Sequence, residues 1–162
     1  MNSKLLIFDL DDTLFVRDRS IKKNEDWEHV TSAEPSSGVL DFLHNFSAKK
    51  ILVTKETYPY LQNKKIDLLG IREFFDKIYI CHKNEEKKEL FSKIIAENPD
   101  HEIWVMGDRI DSEIRYGNEL GLITVLIKQG EYKNLKAKDN FEIPHHEIFH
   151  FTELENVLEC KQ

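Results

Sequence analysis

The chain has 162 residues, 40% of them hydrophobic and 33% charged, a balance that fits one soluble domain, 1–162, and excludes a disordered chain. The formal net charge of -7 disfavours nucleic acid and anionic lipid as partners, because an acidic surface repels both at long range. No apolar run approaches membrane-spanning length. The opening Met1-Asn2-Ser3-Lys4 leads into a short apolar run broken by Asp9, too acidic for a secretory signal. Two distant cysteines, Cys81 and Cys160, read as free thiols, so the expected compartment is the cytoplasm.

Leu5-Leu6-Ile7-Phe8 is a continuous apolar run that suits a strand buried on both faces. Residues 15–35 are polar and aperiodic around Trp27, and read as a short excursion above the domain. Pro35-Ser36-Ser37 opens a helix with Val39, Leu40, Leu43 and Phe46 on one face. Ile51-Leu52-Val53, ending at Thr54, is a second strand. A helix follows from Tyr60 to Leu69 and stops near Gly70. Ile78 to Cys81 form a third strand, and residues 85–97 an amphipathic helix with Leu90, Phe91, Ile94 and Ile95 inward. Ile103 to Met106 make a fourth strand, followed by a helix over 111–120 closed by Gly121. Ile123 to Ile127 are a fifth strand. A loop over 129–146, a short strand over 147–151 and a helix over 154–158 complete the chain. Such alternation predicts an α/β fold, a Rossmann-like three-layer sandwich around a central parallel sheet.

Ligands of open parallel sheets bind beyond the carboxyl ends of the strands. Asp9 and Asp11 follow the first apolar run, Thr54 the second and Asp108 the fourth, so separate segments bring polar groups to one edge. Two carboxylates at i and i+2 leaving a strand point the same way. Such a pair can divide labour, one attacking and the other carrying a proton.

Asp9-Leu10-Asp11-Asp12-Thr13-Leu14 resembles the first motif of the haloacid dehalogenase-like (HAD) hydrolases. Ile51-Leu52-Val53-Thr54 resembles the second, a lysine early in the 85–97 helix the third, and Gly107-Asp108 with the acids that follow the fourth. The resemblance spans roughly residues 4 to 127 and implies a magnesium-dependent phosphatase acting on a phosphate monoester. Asp9 would form an aspartyl-phosphate and Asp11 would serve as general acid and base. Asp9, the Asp11 backbone carbonyl and Asp108 would hold Mg2+, an ion that favours oxygen ligands. Thr54 and the lysine would grip the phosphoryl group. Thr13, Asp111 and Glu113 take supporting places. Lys87, four residues before Phe91, is preferred over Lys83 and Lys88 as the motif lysine, and both Asp111 and Glu113 remain candidates for the second acid of the fourth motif. An acid at position 11 resembles the phosphatase branch and argues against carbon–halogen cleavage. The residue after Asp11, often Gly in the family, is Asp12 here and is read as a local turn residue.

Too few residues separate Thr13 from Thr54, or Thr54 from Lys87, for a full cap domain, so 15–35 is a minimal cap-like insertion. The site is then open, taking a phosphoprotein or a small phosphorylated molecule enclosed by a neighbouring subunit of an oligomer. The alternatives are a catalytically idle HAD-like binding protein and a phospho-receiver-type signalling domain. A receiver needs its aspartate at a middle strand end, where this chain has Thr54 or Cys81. His145, His146 and His150 lack convincing metal-ligand spacing with any partner and read as loop and final-strand residues.

Overall fold

Every apolar run becomes a strand of one sheet in the protein, for which a computed structural model describes residues 3–20 and 31–160. The strands are β1 (Ser3–Phe8), β2 (Lys49–Lys55), β3 (Lys77–Cys81), β4 (His101–Gly107), β5 (Ile123–Ile127) and β6 (His146–Ile148). All pairings are parallel, in the order β3-β2-β1-β4-β5-β6. The helices are α1 (Val39–Asn45), α2 (Leu61–Leu69), α3 (Glu86–Glu97), α4 (Arg115–Glu119) and α5 (Leu154–Glu159).

Period-two alternation sorts the strand side chains into two apolar layers. Leu6, Phe8, Leu52, Trp104 and Met106 pack with Phe42 and Leu43 of α1, Ile66 and Leu69 of α2, and Leu154 and Leu158 of α5. Leu5, Ile7, Ile51, Val53, Ile103 and Val105 pack on the opposite face with Phe91 and Ile94 of α3, and with Tyr116 of α4. Helices on both faces of a parallel sheet make the three-layer α/β sandwich that the sequence predicts. Phe8 is fully buried and meets Phe42 and Phe151 at ring separations of 6.2 Å and Phe75 at 6.1 Å. Full burial of such a side chain stabilises by about 1.5–3 kcal/mol, so the residue before Asp9 is firmly anchored.

The chain runs outward from β1 to β3, then crosses back to β4 on the other side of β1. That reversal opens a crevice between the carboxyl ends of β1 and β4, the position where ligands enter such sheets.

Local geometry differs from the sequence reading at several ends. Helix α1 starts at Val39 rather than near Pro35, because Gly38 sits at φ 83, outside helical space. Helix α2 starts at Leu61, since Tyr60 is also left-handed at φ 66. The predicted helix over 111–120 is divided. A wide turn over Ile110–Ile114 comes first, closed by an Ile114 N–H to Arg109 carbonyl bond of 3.3 Å, and α4 follows. The last strand is His146–Ile148 rather than 147–151, and Phe151–Glu153 form a single tight turn before α5. His145 bonds Thr124 at 2.9 Å and His146 stacks on Trp104 with ring centroids 5.6 Å apart, so both serve in packing. The core of the predicted 15–35 excursion, residues 21–30 with Trp27, lies outside the described residues. Among the described residues no helix is long and apolar enough to cross a membrane.

Candidate active site

The β1–β4 register pairs Phe8 with Met106. The Asp9 N–H continues that pairing with a 3.1 Å bond to the Met106 carbonyl. Asp9 and Asp108 therefore leave neighbouring strands at one level. The wide turn after β4 then folds Glu113 back over Gly107. A Cβ at position 107 would lie 2.6 Å from Glu113 Cβ and Cγ, so only glycine admits this approach. Wide turns of this kind are rare in helices and occur often at functional sites.

Asp9, Asp108 and Glu113 are all buried, and each offers a carboxylate oxygen within 4.8 Å of the others. Lys87, on the first turn of α3, reaches into this group. Its Nζ donates to Asp9 Oδ1 at 3.0 Å and to Glu113 Oε1. Ser112 Oγ also meets Glu113 Oε1 at 3.0 Å and Asn84 Oδ1 at 2.8 Å. Glu113 Oε2 is buried and has no hydrogen-bond partner among the described residues.

Three buried acids against one lysine leave the cluster short of positive charge. Burial pushes the Asp9 carboxyl up to about 7; Lys87 opposes the rise, while Glu113 and Asp11 add to it. Asp108 is also raised well above the usual carboxylate range, by burial first and then by Asp9 and Glu113. Burial acts to neutralise Lys87, but the Asp9 and Glu113 carboxylates outweigh it and hold the ammonium charged beyond its ordinary range. An unpartnered buried oxygen beside two buried, mutually repelling carboxyls is a donor set suited to a hard divalent cation.

Asp11 stands apart from this group. Its carboxylate faces α2, where Lys65 Nζ donates to Oδ1 at 2.8 Å and Gln62 Nε2 donates to Oδ2 at 2.8 Å. Gln62 Nε2 also donates to Thr54 Oγ1 at 2.7 Å. Thr13 Oγ1 lies 3.5 Å from Asp9 Oδ2. Asp12 is left-handed at φ 58. Its carboxylate accepts from the Arg17 N–H at 3.0 Å and the Glu131 N–H at 3.4 Å, in keeping with a turn role.

The two acids left open after β4 point in different directions. Asp111 is engaged by Arg109, whose Nε and Nη2 each donate at 3.0 Å, while the same guanidinium stacks 4.2 Å from the Tyr132 ring centroid. Burial tends to raise the Asp111 carboxyl, but Arg109 brings it below its ordinary range. Glu113 is the acid in contact with the lysine. Among the lysines, Lys88 pairs with Glu119 at 2.7 Å on the surface and Lys83 is exposed, so Lys87 alone of the three joins the cluster. Gln62 and Lys65 escaped the sequence reading. Their signal was two polar residues set among Leu61, Ile66 and Leu69, the inward face of α2.

The HAD-hydrolase-like family model matches residues 86–154. The glyceraldehyde 3-phosphate phosphatase of Methanopyrus kandleri is 30% identical over 103 residues, covering 60% of this chain and 44% of that protein. A protein of the same name from Methanocaldococcus jannaschii is 33% identical over 93 residues, covering 54% of this chain and 40% of its own length. The chain thus matches less than half the length of these curated relatives. A magnesium-bound structure of YfnB from Bacillus subtilis superposes with a TM-score of 0.69 at 17% identity, covering 99% of this chain and 100% of that one. The 2-haloacid dehalogenase from Pseudomonas syringae pv. Tomato DC3000 gives a TM-score of 0.69 at 15% identity, covering 96% and 97%. At these identities the structural likeness is one of fold. In sequence the chain is thus similar to the haloacid dehalogenase-like hydrolases over residues 86–154, and it shares the fold of these solved neighbours.

Asp9, Asp11, Gln62, Lys65, Lys87, Asp108 and Glu113 line one cleft of about 230 Å³ together with Arg17, Lys55 and Tyr132, while Thr54 is buried behind Gln62 and does not line it. A cation entering it competes with protons on Asp9 and Asp108, because both carboxyls are raised. Divalent-cation affinity, measured by calorimetry, is therefore expected to rise from about pH 6 to about pH 8 with proton release on binding, and to level off above. A pH-independent affinity would show that the acids do not bind the ion.

Proposed function

We propose that the chain is a magnesium-dependent phosphatase that hydrolyses a phosphate monoester through an aspartyl-phosphate on Asp9. The observation that carries this reading is the buried group of Asp9, Lys87, Asp108 and Glu113 at the carboxyl ends of β1 and β4. A surface of net acidic character would otherwise repel a phosphate, so local cations at the nucleophile are needed. Lys87 is one of them. The residues that would hold Mg2+ are Asp9, Asp108 and the Asp11 backbone carbonyl, with the unpartnered Glu113 oxygen beside them. When bound, the ion supplies positive charge that lets an anionic carboxylate approach an anionic ester.

In the first step an Asp9 oxygen attacks phosphorus as the ester P–O bond breaks. Asp11 gives its proton to the departing alcohol oxygen. Lys87 and the Thr54 hydroxyl hold phosphoryl oxygens as charge builds on them. In the second step Asp11, now ionised, takes a proton from water as that water attacks the phosphorus. The Asp9–phosphorus linkage breaks, and Asp9 and inorganic phosphate are released.

The cleft of about 230 Å³ suits a small phosphorylated molecule. Two relatives bear the name glyceraldehyde 3-phosphate phosphatase, which makes a triose phosphate the first substrate to try, before a phosphoprotein. The free thiols of Cys81 and Cys160 suit a reducing, cytoplasmic compartment. Rapid acid quench during turnover, followed by peptide mass analysis, should find a phosphoryl adduct on Asp9. Turnover with no adduct, or with one elsewhere, would overturn the covalent route. Absence of both turnover and adduct, with phosphate still bound, would favour the idle binding protein.

A further inference from the structure

We propose that Gln62 and Lys65 are positioning residues that aim the Asp11 carboxylate at the leaving oxygen and lock its position to that of Thr54; this rests on the phosphatase reading above. One amide group spans two elements of the site. The two hydrogens of Gln62 Nε2 reach Asp11 Oδ2 at 2.8 Å and Thr54 Oγ1 at 2.7 Å. Lys65 Nζ takes the other Asp11 oxygen at 2.8 Å. Each carboxylate oxygen thus has its own donor, which fixes the plane of the carboxylate as well as its place.

The support beneath these donors is rigid. Gln62 and Lys65 stand three residues apart on one face of α2, where side chains are neighbours. Both are buried, Gln62 at 1% exposure and Lys65 at 3%. The Gln62 backbone N–H donates to Glu56 Oε2 at 3.3 Å, fastening the first turn of α2 to the end of β2, and Leu61 and Ile66 seat the helix in the core. The Asp11 carboxylate, by contrast, is 31% exposed and faces the cleft. Two buried donors holding a half-open acid is the arrangement expected of a site whose acid must keep one geometry while substrate comes and goes. Burying a lysine is costly without such a partner.

A positioning role differs from a structural tie in how it depends on the leaving group. An aryl oxide departs with little help from an acid, whereas an alkyl alkoxide needs its proton as the P–O bond breaks. The test compares kcat/KM on an aryl and an alkyl phosphate for wild type, Lys65→Met and Gln62→Leu, with magnesium present. Both variants should lose more than about tenfold in kcat/KM on the alkyl ester relative to the aryl ester. On the aryl ester they should show a burst, because water attack on the phosphoenzyme also depends on Asp11. In an Asp11→Asn background the same substitutions should add almost nothing, since they act through Asp11. Gln62→Glu, of the same size, replaces Gln62→Leu if that variant does not fold, and melting curves check both. Equal losses on the two esters, or losses that persist without the Asp11 carboxylate, would overturn the positioning role while leaving the phosphatase reading intact. Failure of wild type to hydrolyse either ester and triose phosphate would instead remove the phosphatase reading.

Discussion

Asp9→Asn is expected to lower turnover by roughly a thousandfold or more while raising the melting temperature of the metal-free protein at neutral pH. The two effects have one cause. Asp9 is buried among Asp108 and Glu113, and its carboxyl is pushed up to about 7 from an ordinary value of 3.8. A raised carboxyl favours the folded state only while it is protonated. Its contribution is therefore full below about pH 4 and is lost as pH rises through about 7. At pH 7.5 and above the metal-free wild type carries the whole repulsion of the cluster. An asparagine keeps the shape, and its amide oxygen still accepts from Lys87, but it removes one of three like charges. A gain of about 1–2 kcal/mol, or roughly 3–6 °C, is expected in metal-free buffer near pH 7.5, shrinking toward pH 5. Saturating magnesium should reverse the order, since it stabilises the native state of the protein that binds it. Differential scanning calorimetry across pH, with chelator or with magnesium, reads all of this. A variant less stable than wild type in chelator would show that the Asp9–Lys87 pair outweighs the crowding of acids.

Lys87→Ala carries the largest expected loss of stability. Lys87 is the cation in contact with two of the three buried acids, and its removal leaves them uncompensated. Breaking a buried pair from one side costs about 3–5 kcal/mol. Lys88 is adjacent in sequence but lies on the surface, where its pair with Glu119 is worth about 0–1 kcal/mol. Turnover should follow the same ranking, because in the proposed mechanism Lys87 also meets the charge that develops on the phosphoryl group. Magnesium should restore part of the stability of Lys87→Ala but not its rate. Chemical denaturation and steady-state kinetics on both alanine variants decide the matter. A larger rate loss in Lys88→Ala would move the phosphoryl contact one residue along the helix.

Strand ends were the legible part of this molecule. Short continuous apolar runs bounded by polar or turn residues suit strands buried on both faces, and parallel topology then brings Asp9, Thr54 and Asp108 to one edge. Lys87 was legible through spacing, because its position four residues before the buried Phe91 turns it inward. The choice between Asp111 and Glu113 was not legible. On a regular helix neither is favoured, and the decision is made by the wide turn after β4 and the missing Cβ of Gly107, which turn Glu113 inward and leave Asp111 to Arg109. Gln62 and Lys65 were hidden because polar residues on a short helix normally read as its solvent face. Only the docked helix shows that they point at Asp11. The starts of α1 and α2 were misplaced for a third reason: left-handed backbone at Gly38 and Tyr60 leaves no hydrophobic signature.

The most direct test of the account is hydrolysis of an aryl phosphate by wild type and Asp9→Asn, each with magnesium and with chelator. The account predicts turnover by wild type in magnesium, none in chelator, and none by the variant in either. Turnover that persists in chelator, or that survives the loss of the Asp9 carboxylate, would contradict it.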